Sequence, residues 1–508
     1  MYKENKLTSL HKNLISCFSF FRSNVKKEEG ILLVQMVQDY EFAIRLASAS
    51  KILSEKRNLK VDFYDVQIRW IFLKTYKPLF GKRYIQSPLV KIHRSFGGNI
   101  IFNCSDKFKD TKFIAQKLSA IKNNLHINGI DGILKLEFEN ILVGDLIYDT
   151  YLRFYYKPTI EVINEDVLHV IEVALHLFFN FEAFLQKNKV KVLLNTYVSY
   201  LQHGIPARIC LHKNIDVYTI GSFSYVIQKL DKNYPFHSIN SQDLKPEKII
   251  SPEYLNSAKE KFTSRFAGKL DAAVSYMRKS SFSSTPISPE TVALFKIRSR
   301  NIVIYAHDFF DSPHINKLLQ FPDLYQFLKS TLKELTDLKN TSVFIKAHPN
   351  GISGCKEITV KMVNDFQCDH FYILEEEVSN LNIVELRPDL VCTARGTVGP
   401  EMAYFEIPVV ALFDNLYANF NFVHTCHDLV TYFSILKGEK KPEVDYDKEM
   451  IFSFYYQAFM ERYPKAENHI LALLSTTSKG DTFEEEYMKF ILENKERIFS
   501  KEILELYN

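Results

Sequence analysis

Two α/β domains, each built on a parallel sheet and separated by a cleft, are what this sequence predicts. Three observations carry that expectation. A strand–helix–strand alternation opens the chain: GILLVQMV (30–37), DYEFAIRLASASKILSEK (39–56) and NLKVDFYDV (58–66). The same alternation restarts at RNIVIY and runs to VVALF (300–413). Between them lies a stretch rich in Ser, Pro and Lys, including KSSFSSTPISPE (279–290). Alternating strands and helices favour parallel sheets with helical crossovers.

The elements follow from period and punctuation. Residues 30–37 are a short apolar run after charged residues, hence a strand, and 39–56 carries apolar residues at helical spacing. ENILVGDLIYD (139–149) reads as a strand running into acidic residues. Residues 159–188 read as a long helix or helix pair. KVLLNTYVSYLQHGIPARICLHKNIDVYTIG (191–221) reads as strand, helix broken by Gly204 and Pro206, strand. QFPDLYQFLKSTLKELTDLKN (320–340) is an amphipathic helix, TSVFIKAHPN (341–350) a strand into a loop, and the tail from about 446 is helical and charged. The expected boundaries are a first α/β domain over 1–230, bridging helices and loops over 231–295, a second α/β domain over 296–475, and a final helix over 476–508 that crosses back to the first domain.

Composition excludes several classes. The chain has 508 residues, 46% hydrophobic and 14% aromatic, enough for two or three domains. With 64 basic and 60 acidic residues the net charge is +4, too balanced to indicate a nucleic-acid partner. Seven scattered cysteines without a C-x-x-C pair argue against a disulfide framework or zinc site and fit a reducing cytoplasm. No segment reaches the ~18–20 uninterrupted apolar residues of a membrane span, and HVIEVALHLFFNFEAFL (169–185) reads as a buried helix. The N-terminal LTSLHKNLISCFSFFRSNVKK (7–27) mixes apolar and basic residues, so it reads as a surface helix or as one that docks on a membrane surface.

The chemistry concentrates at expected strand ends, where open parallel sheets bind ligands. TARGTVGPEMAYFEIP (393–408) leaves a strand at Thr393 and enters a helix near Pro400. Its loop offers Arg395, Gly396 and Thr397 beside a helix N-terminus, a phosphate site, with Glu401 able to reach nucleotide sugar hydroxyls. The same residues also fit a tight turn in which Glu401 only complements the helix dipole. KAHPN (346–350) supplies Lys346 and His348 for a phosphate or base, with Pro349 stiffening the turn. Ser379 and Asn380 stand at the next strand end. HDFFDSPH (307–314) is expected to line the cleft, with His307 and Asp308 near the donor; metal-ligand spacing is not evident in it.

A strand ending in K-x-H-P, then a Ser/Thr/Gly loop, then E-x-x-x-x-x-x-P-V-V resembles the nucleotide-binding half of GT-B glycosyltransferases. The likeness spans about 300–430 and is greatest to those of bacterial capsule and lipopolysaccharide synthesis, including the β-Kdo transferases, which use CMP-activated 3-deoxy-octulosonic acid. The commoner pattern has two hydroxyl residues before the helix, where this chain has Arg395 and Gly396. The resemblance implies a GT-B fold of two Rossmann-like domains, a nucleotide-sugar donor, a glycan or lipid-linked acceptor, no cofactor and no bound metal. It also implies a cytoplasmic enzyme with peripheral contact at the inner membrane. In GDLIYDTYLRF (144–154) the D-x-x-x-R setting of Asp149 and Arg153 is similar to that of the β-Kdo transferases. That likeness implies Asp149 as the nucleophile of a retaining reaction and Arg153 as a forked partner for a donor carboxylate or phosphate. A capped turn with a surface ion pair fits the same residues. In YLQHGIPAR (200–208), His203 could act as base toward the acceptor, stabilise a leaving group, or be structural. The expected activity is thus glycosyl transfer, with Kdo or a related ulosonic acid as a candidate sugar. A CDP-polyol phosphotransferase, a nucleotide-sugar epimerase and a non-catalytic glycan-binding module on the same fold remain alternatives.

Overall fold

A computed structural model describes residues 2–37, 39–73, 87–98, 101–104, 106–221, 226–271, 280–282, 285–315, 320–375, 377–412, 415–462 and 484–507. The chain forms two units. One comprises residues 1–155, 161–237 and 463–508; the other comprises 156–160 and 238–462.

The first unit holds β1 (Gly30–Gln35), β2 (Leu59–Asp65), β3 (Ile101–Asn103), β6 (Val190–Asn195), β7 (Asp216–Thr219) and β8 (Gln228–Lys229) in the order β3-β2-β1-β6-β7-β8. All neighbours are parallel except β8, which runs antiparallel to β7. A separate two-stranded ribbon, β4 (Glu137–Phe138) with β5 (Ile141–Leu142), completes its strands. The second unit holds β9 (Arg300–Tyr305), β10 (Thr341–Lys346), β11 (Phe371–Leu374), β12 (Leu390–Thr393), β13 (Val409–Leu412) and β14 (His424–Cys426), all parallel, in the order β11-β10-β9-β12-β13-β14. Counted within each sheet, both orders are 3-2-1-4-5-6, the doubly wound Rossmann order. The order reverses between β1 and β6 in one sheet and between β9 and β12 in the other. Strands buried on both faces explain the near-continuous apolar runs, with Leu32–Val34, Ile302–Ile304 and Val343–Ile345 having no exposed surface.

Two local readings are corrected. Residues 139–149 are not one strand: only Ile141–Leu142 is extended, and Gly144–Tyr155 is a helix. Asp145 and Asp149 fall one turn apart on it, a helical period that a strand reading misses. Gly144 starts the helix because it packs tightly on the 131–134 turn, where a Cβ would sit 1.9 Å from the Ile133 carbonyl. Nor do Gly204 and Pro206 break a helix, since Tyr200–His212 is continuous with Pro206 inside it. Proline removes the N–H that would bond the carbonyl four residues back. That carbonyl, Gln202 O, accepts from Gln35 Nε2 at 3.4 Å, and the next, His203 O, accepts from Asn195 Nδ2 at 2.9 Å. The side-chain amide of Gln35, at a strand end, thus replaces the missing helical bond.

The N-terminal helix Tyr2–Phe18 contributes to the first core. Leu14, Phe18 and Phe21 are fully buried, and the Phe18 ring lies 6.1 Å from Phe96 and 5.5 Å from Phe499. These are apolar side chains on which membrane docking was expected to depend, and the unit's own core covers them. Residues 484–507 return to that core through Met488, Ile491, Ile498 and Ile503; residues 476–483 lie outside the described residues. The stretch expected as a bridge belongs from Ser238 onward to the second unit. Its helix Pro252–Ser264 buries Ala258 and Phe262, the latter against Phe452 and Tyr455. Among the described residues one helix, Glu165–Lys187, is long and apolar enough to cross a membrane, and half of its apolar window is buried within the structure. All seven cysteines are free thiols.

Candidate functional site

In the second unit the chain leaves β9 through His307 and Asp308, and leaves adjacent β12 through Arg395, Gly396 and Thr397. The Arg395 backbone N–H donates to His307 Nε2 at 3.3 Å, so that nitrogen is bare. The ring proton therefore sits on Nδ1, which donates to the Tyr305 carbonyl at 3.2 Å. Burial, then the nearby Arg395 and His348, lowers the His307 pKa to about 3 and keeps the ring neutral. Both His307 nitrogens are engaged in tying the two strand exits together, so His307 is a clamp and not a donor ligand. Asp308 is likewise turned inward. Its Oδ1 accepts from Phe310 N–H at 2.8 Å and the Cys355 thiol at 3.3 Å, and its Oδ2 accepts from Ile352 N–H at 2.6 Å.

The loop itself is pinned from within. Thr393 Oγ1 accepts from Gly396 N–H at 3.1 Å, and Tyr417 Oη donates to the Gly396 carbonyl at 2.9 Å. A Cβ on Gly399 would lie 2.5 Å from the Tyr417 hydroxyl, so that glycine serves close packing. Arg395, Gly396 and Thr397 remain half-buried at the strand end, and the Thr397 side chain makes no capping bond. Arg395 Nη2 donates to the Pro313 carbonyl at 2.5 Å. His348 and Pro349, after β10, are also half-buried. His348 Nδ1 accepts from Asn350 N–H at 3.2 Å, leaving the proton on Nε2. Burial, the largest influence, lowers the His348 pKa.

Beneath this rim runs a buried charged chain. Lys346, 1% exposed, donates to Asn380 Oδ1 at 3.1 Å and lies 5.7 Å from the Tyr305 ring centre. Asn380 Nδ2 donates to Glu401 Oε2 at 3.3 Å, and Glu401 Oε1 accepts from Arg265 Nη1 at 2.9 Å. Arg265 grips Asp271 with Nε and with Nη2, the latter at 2.9 Å. Burial raises the Glu401 pKa, against the pull of Arg265. Glu401 is 3% exposed, so the expectation that it reaches sugar hydroxyls is corrected: it braces its own helix. Ser379 caps the Asn380–Glu385 helix, its Oγ accepting from Leu381 N–H at 3.2 Å. Arg265 went unnoticed in the sequence because its partner Glu401 is 136 residues away.

In the first unit the corresponding strand ends carry a neutral network. Gln35 ends β1, Asn195 ends β6, and Thr196 follows it. Gln35 Oε1 accepts from Thr196 N–H at 3.2 Å and from its hydroxyl at 2.9 Å. Tyr64 Oη donates to Asn195 Oδ1 at 2.7 Å. His203, half-buried, has Nδ1 2.7 Å from Gln35 Nε2, and its ring meets Tyr197 edge to face. Burial, then His237, lowers its pKa to about 3. Neither Gln35 nor Thr196 had a motif to mark it.

Asp149 and Arg153 are placed otherwise than expected. Both sit on the helix Gly144–Tyr155, which follows the ribbon strand β5 and not a strand of the six-stranded sheet. Asp149 is 2% exposed, while Arg153 is half-buried. A carboxylate that attacks an anomeric carbon has to be reached by it, and the helix interior denies that, so the nucleophile role is not carried forward. One turn earlier, Asp145 is held by Arg208 in a forked pair, Nη1 to Oδ1 at 2.6 Å and Nη2 to Oδ2 at 2.5 Å, both side chains buried. Among the described residues no group of three or more His, Cys, Asp or Glu is placed to hold a metal ion.

No protein-family model matches the chain, and no curated protein does. Solved structures are similar to it in fold. The β-Kdo 2,4 transferase KpsC of Thermosulfurimonas dismutans is 10% identical over 52% of this chain and 79% of that one, with a TM-score of 0.33. The UDP-GlcNAc 2-epimerase of Methanocaldococcus jannaschii, in complex with UDP-GlcNAc and UDP, is 12% identical over 83% and 97%, with a TM-score of 0.24. The wall teichoic acid polymerase TagF is 10% identical over 99% of each, with a TM-score of 0.19. These likenesses extend to the fold alone. The chain is an α/β protein with two Rossmann-like units, as its strand orders require.

Proposed function

We propose that the protein is a glycosyltransferase that moves a sugar from a nucleotide donor to a surface-polysaccharide or lipid-linked acceptor. In this reading the second unit binds the donor and the first receives the acceptor. One observation carries it: the half-buried Arg395–Gly396–Thr397 loop stands where the strand order of the second sheet reverses, and His348, half-buried after β10, keeps an Nε2–H to offer. Open α/β sheets bind nucleotides at that point, and hydroxyl, backbone and imidazole donors suit phosphate oxygens. The likeness of KAHPN and GTVGPEMAYFEIPVV to the β-Kdo transferases makes a CMP-activated ulosonic acid one candidate donor, and Arg395 and Gly396 depart from the commoner pattern. Lys346, Asn380 and Glu401 support the loop from below without touching the nucleotide.

Thermal shift and calorimetry against CMP, CDP, UDP and GDP test the proposal. One nucleotide should bind, and Thr397→Val should weaken it by about 2- to 12-fold, the equivalent of ~0.5–1.5 kcal/mol for one hydrogen bond. Equal affinity in Thr397→Val and His348→Ala, or no nucleotide bound by the wild type, would remove the assignment.

A further inference from the structure

Gln35 is 3% exposed, and two backbone groups fix its amide. The Thr196 N–H, at 3.2 Å, can only donate, so it faces Oε1. The Gln202 carbonyl, at 3.4 Å and freed by Pro206, can only accept, so it faces Nε2. The amide has no second orientation that serves both. Nε2 then approaches His203 Nδ1 to 2.7 Å. Two N–H groups cannot face each other at that distance, so Nδ1 accepts and carries no proton. Gln35 Oε1 is also 2.9 Å from Nδ1, but an Nδ1–H directed there would still collide with the closer amide hydrogens. Thr196 Oγ1, 3.4 Å from Nδ1, gives its one hydrogen to Gln35 Oε1 at 2.9 Å and could therefore only accept from Nδ1, but an Nδ1–H would still face the amide N–H of Gln35 at 2.7 Å. The His203 proton is therefore on Nε2, and among the described residues no hydrogen bond involves that nitrogen.

We propose that Gln35 is a positioning residue: it holds His203 as the Nε2–H tautomer, so that His203 serves the first unit's strand-end site as a hydrogen-bond donor to a substrate oxygen. It does not take a proton from the acceptor. The donor role rests on the glycosyltransferase reading; the tautomer does not. A general base needs a bare nitrogen toward the substrate and a protonated one toward its orienting partner. A glutamine offers Nδ1 an N–H where a carboxylate would offer an acceptor, and so inverts that arrangement. The oxygen received is one that carries negative charge, on a phosphate or a carboxylate of the molecule the first unit binds. The surroundings agree with a neutral ring. Tyr197 lies against His203 at 6.1 Å and against His237 at 5.2 Å, and His237 would repel a charge on His203.

The test is long-range proton–nitrogen NMR on protein labelled at histidine nitrogens, with His203→Gln assigning the signal. The expected spectrum has a bare Nδ1 and a protonated Nε2, unchanged from pH 8 to pH 5. Gln35→Glu should move the proton to Nδ1 and raise the His203 titration midpoint by about 1–3 pH units, the usual effect of an adjacent carboxylate. A wild-type ring protonated on Nδ1 would overturn the proposal, as would a Gln35→Glu spectrum identical to wild type. If Gln35→Glu does not fold, the wild-type spectrum still decides the tautomer. Once an activity is in hand, the pH–rate profile of the wild type should lack a limb due to His203; a limb near pH 6–7 that His203→Gln abolishes would establish a base and overturn the donor role. Failure of nucleotide binding in the second unit would leave the NMR result intact and would count against the transferase reading alone.

Discussion

Where the strand order of the first sheet reverses, the groups that meet are neutral: Gln35, Asn195, Thr196 and His203. In the second sheet the rim is supported by charged groups, Lys346, Glu401 and Arg265, with Asn380 between them. Both networks join distant segments, yet they do so at different cost. An amide network satisfies its donors and acceptors with little desolvation penalty, and its directional bonds fix a tautomer. An ionic chain gives up the hydration of each charge and stands only while every partner is present. The first arrangement orients one imidazole; the second braces a helix and the loop before it.

Breaking the ionic chain should therefore have the largest effect. Arg265→Met leaves Glu401 and Asp271 buried without their shared cation, a loss of about 3–5 kcal/mol in the second unit. Hydrogen exchange of amides in β9 and β12, compared with β1 and β6, reads it unit by unit. The pH dependence has a definite sign. Burial already raises the Glu401 pKa above its ordinary 4.5, and loss of Arg265 raises it further. A raised carboxyl contributes its stability below the unfolded pKa and loses it as pH rises through the folded value. The variant's deficit should be greatest well above the ordinary carboxylate range and shrink as pH falls toward 4.5. A deficit under about 1 kcal/mol, or one independent of pH, would show that the chain is not the brace described.

The next effect concerns acid in the first unit. His93 is fully buried, its Nδ1 donates to the Leu89 carbonyl at 2.8 Å, and burial lowers its pKa from 6.5 to about 4. A histidine with a depressed pKa stabilises the fold above its unfolded value and loses that contribution as pH falls through the folded one. Between pH 6.5 and 4 this residue should account for about 3 kcal/mol, at roughly 1.4 kcal/mol per pH unit. His93→Phe, whose ring suits the edge-on contact with Phe63 at 5.4 Å, should flatten the dependence of the first unit's denaturant midpoint on pH. An equally steep fall in the variant would assign the acid sensitivity to other groups, His203 among them.

The smallest effect should come from the neutral network. Thr196→Val removes one hydroxyl bond to Gln35 Oε1 but leaves the Thr196 N–H on the same oxygen. About 0.5–1.5 kcal/mol should be lost from the first unit, measured by the same exchange experiment. A loss as large as that of Arg265→Met would erase the distinction between the two strand ends.

Sequence by itself determined what local chemistry sets. Period and apolar runs identified β1, β2, β6, β9 and β10 and the helices Tyr40–Arg57 and Leu324–Leu335, because strand burial and helical amphipathicity repeat over a few residues. KAHPN and ARGTVG were legible as strand exits for the same reason: glycine, proline and polar residues follow apolar runs directly. Tertiary structure decided which way each polar side chain faces. Thr196 and Gln35 are 161 residues apart, and Arg265 and Glu401 are 136 apart, so no window of sequence contains either pair. It also decided that Glu401, Asp308 and Asp149 turn inward while Thr397 and His348 remain at the rim. It kept the 200–212 helix continuous through Pro206, because the Gln35 amide takes the carbonyl that the proline leaves without a helical donor. A residue's type fixes what it can donate or accept; only the folded neighbourhood fixes what is left to offer a ligand.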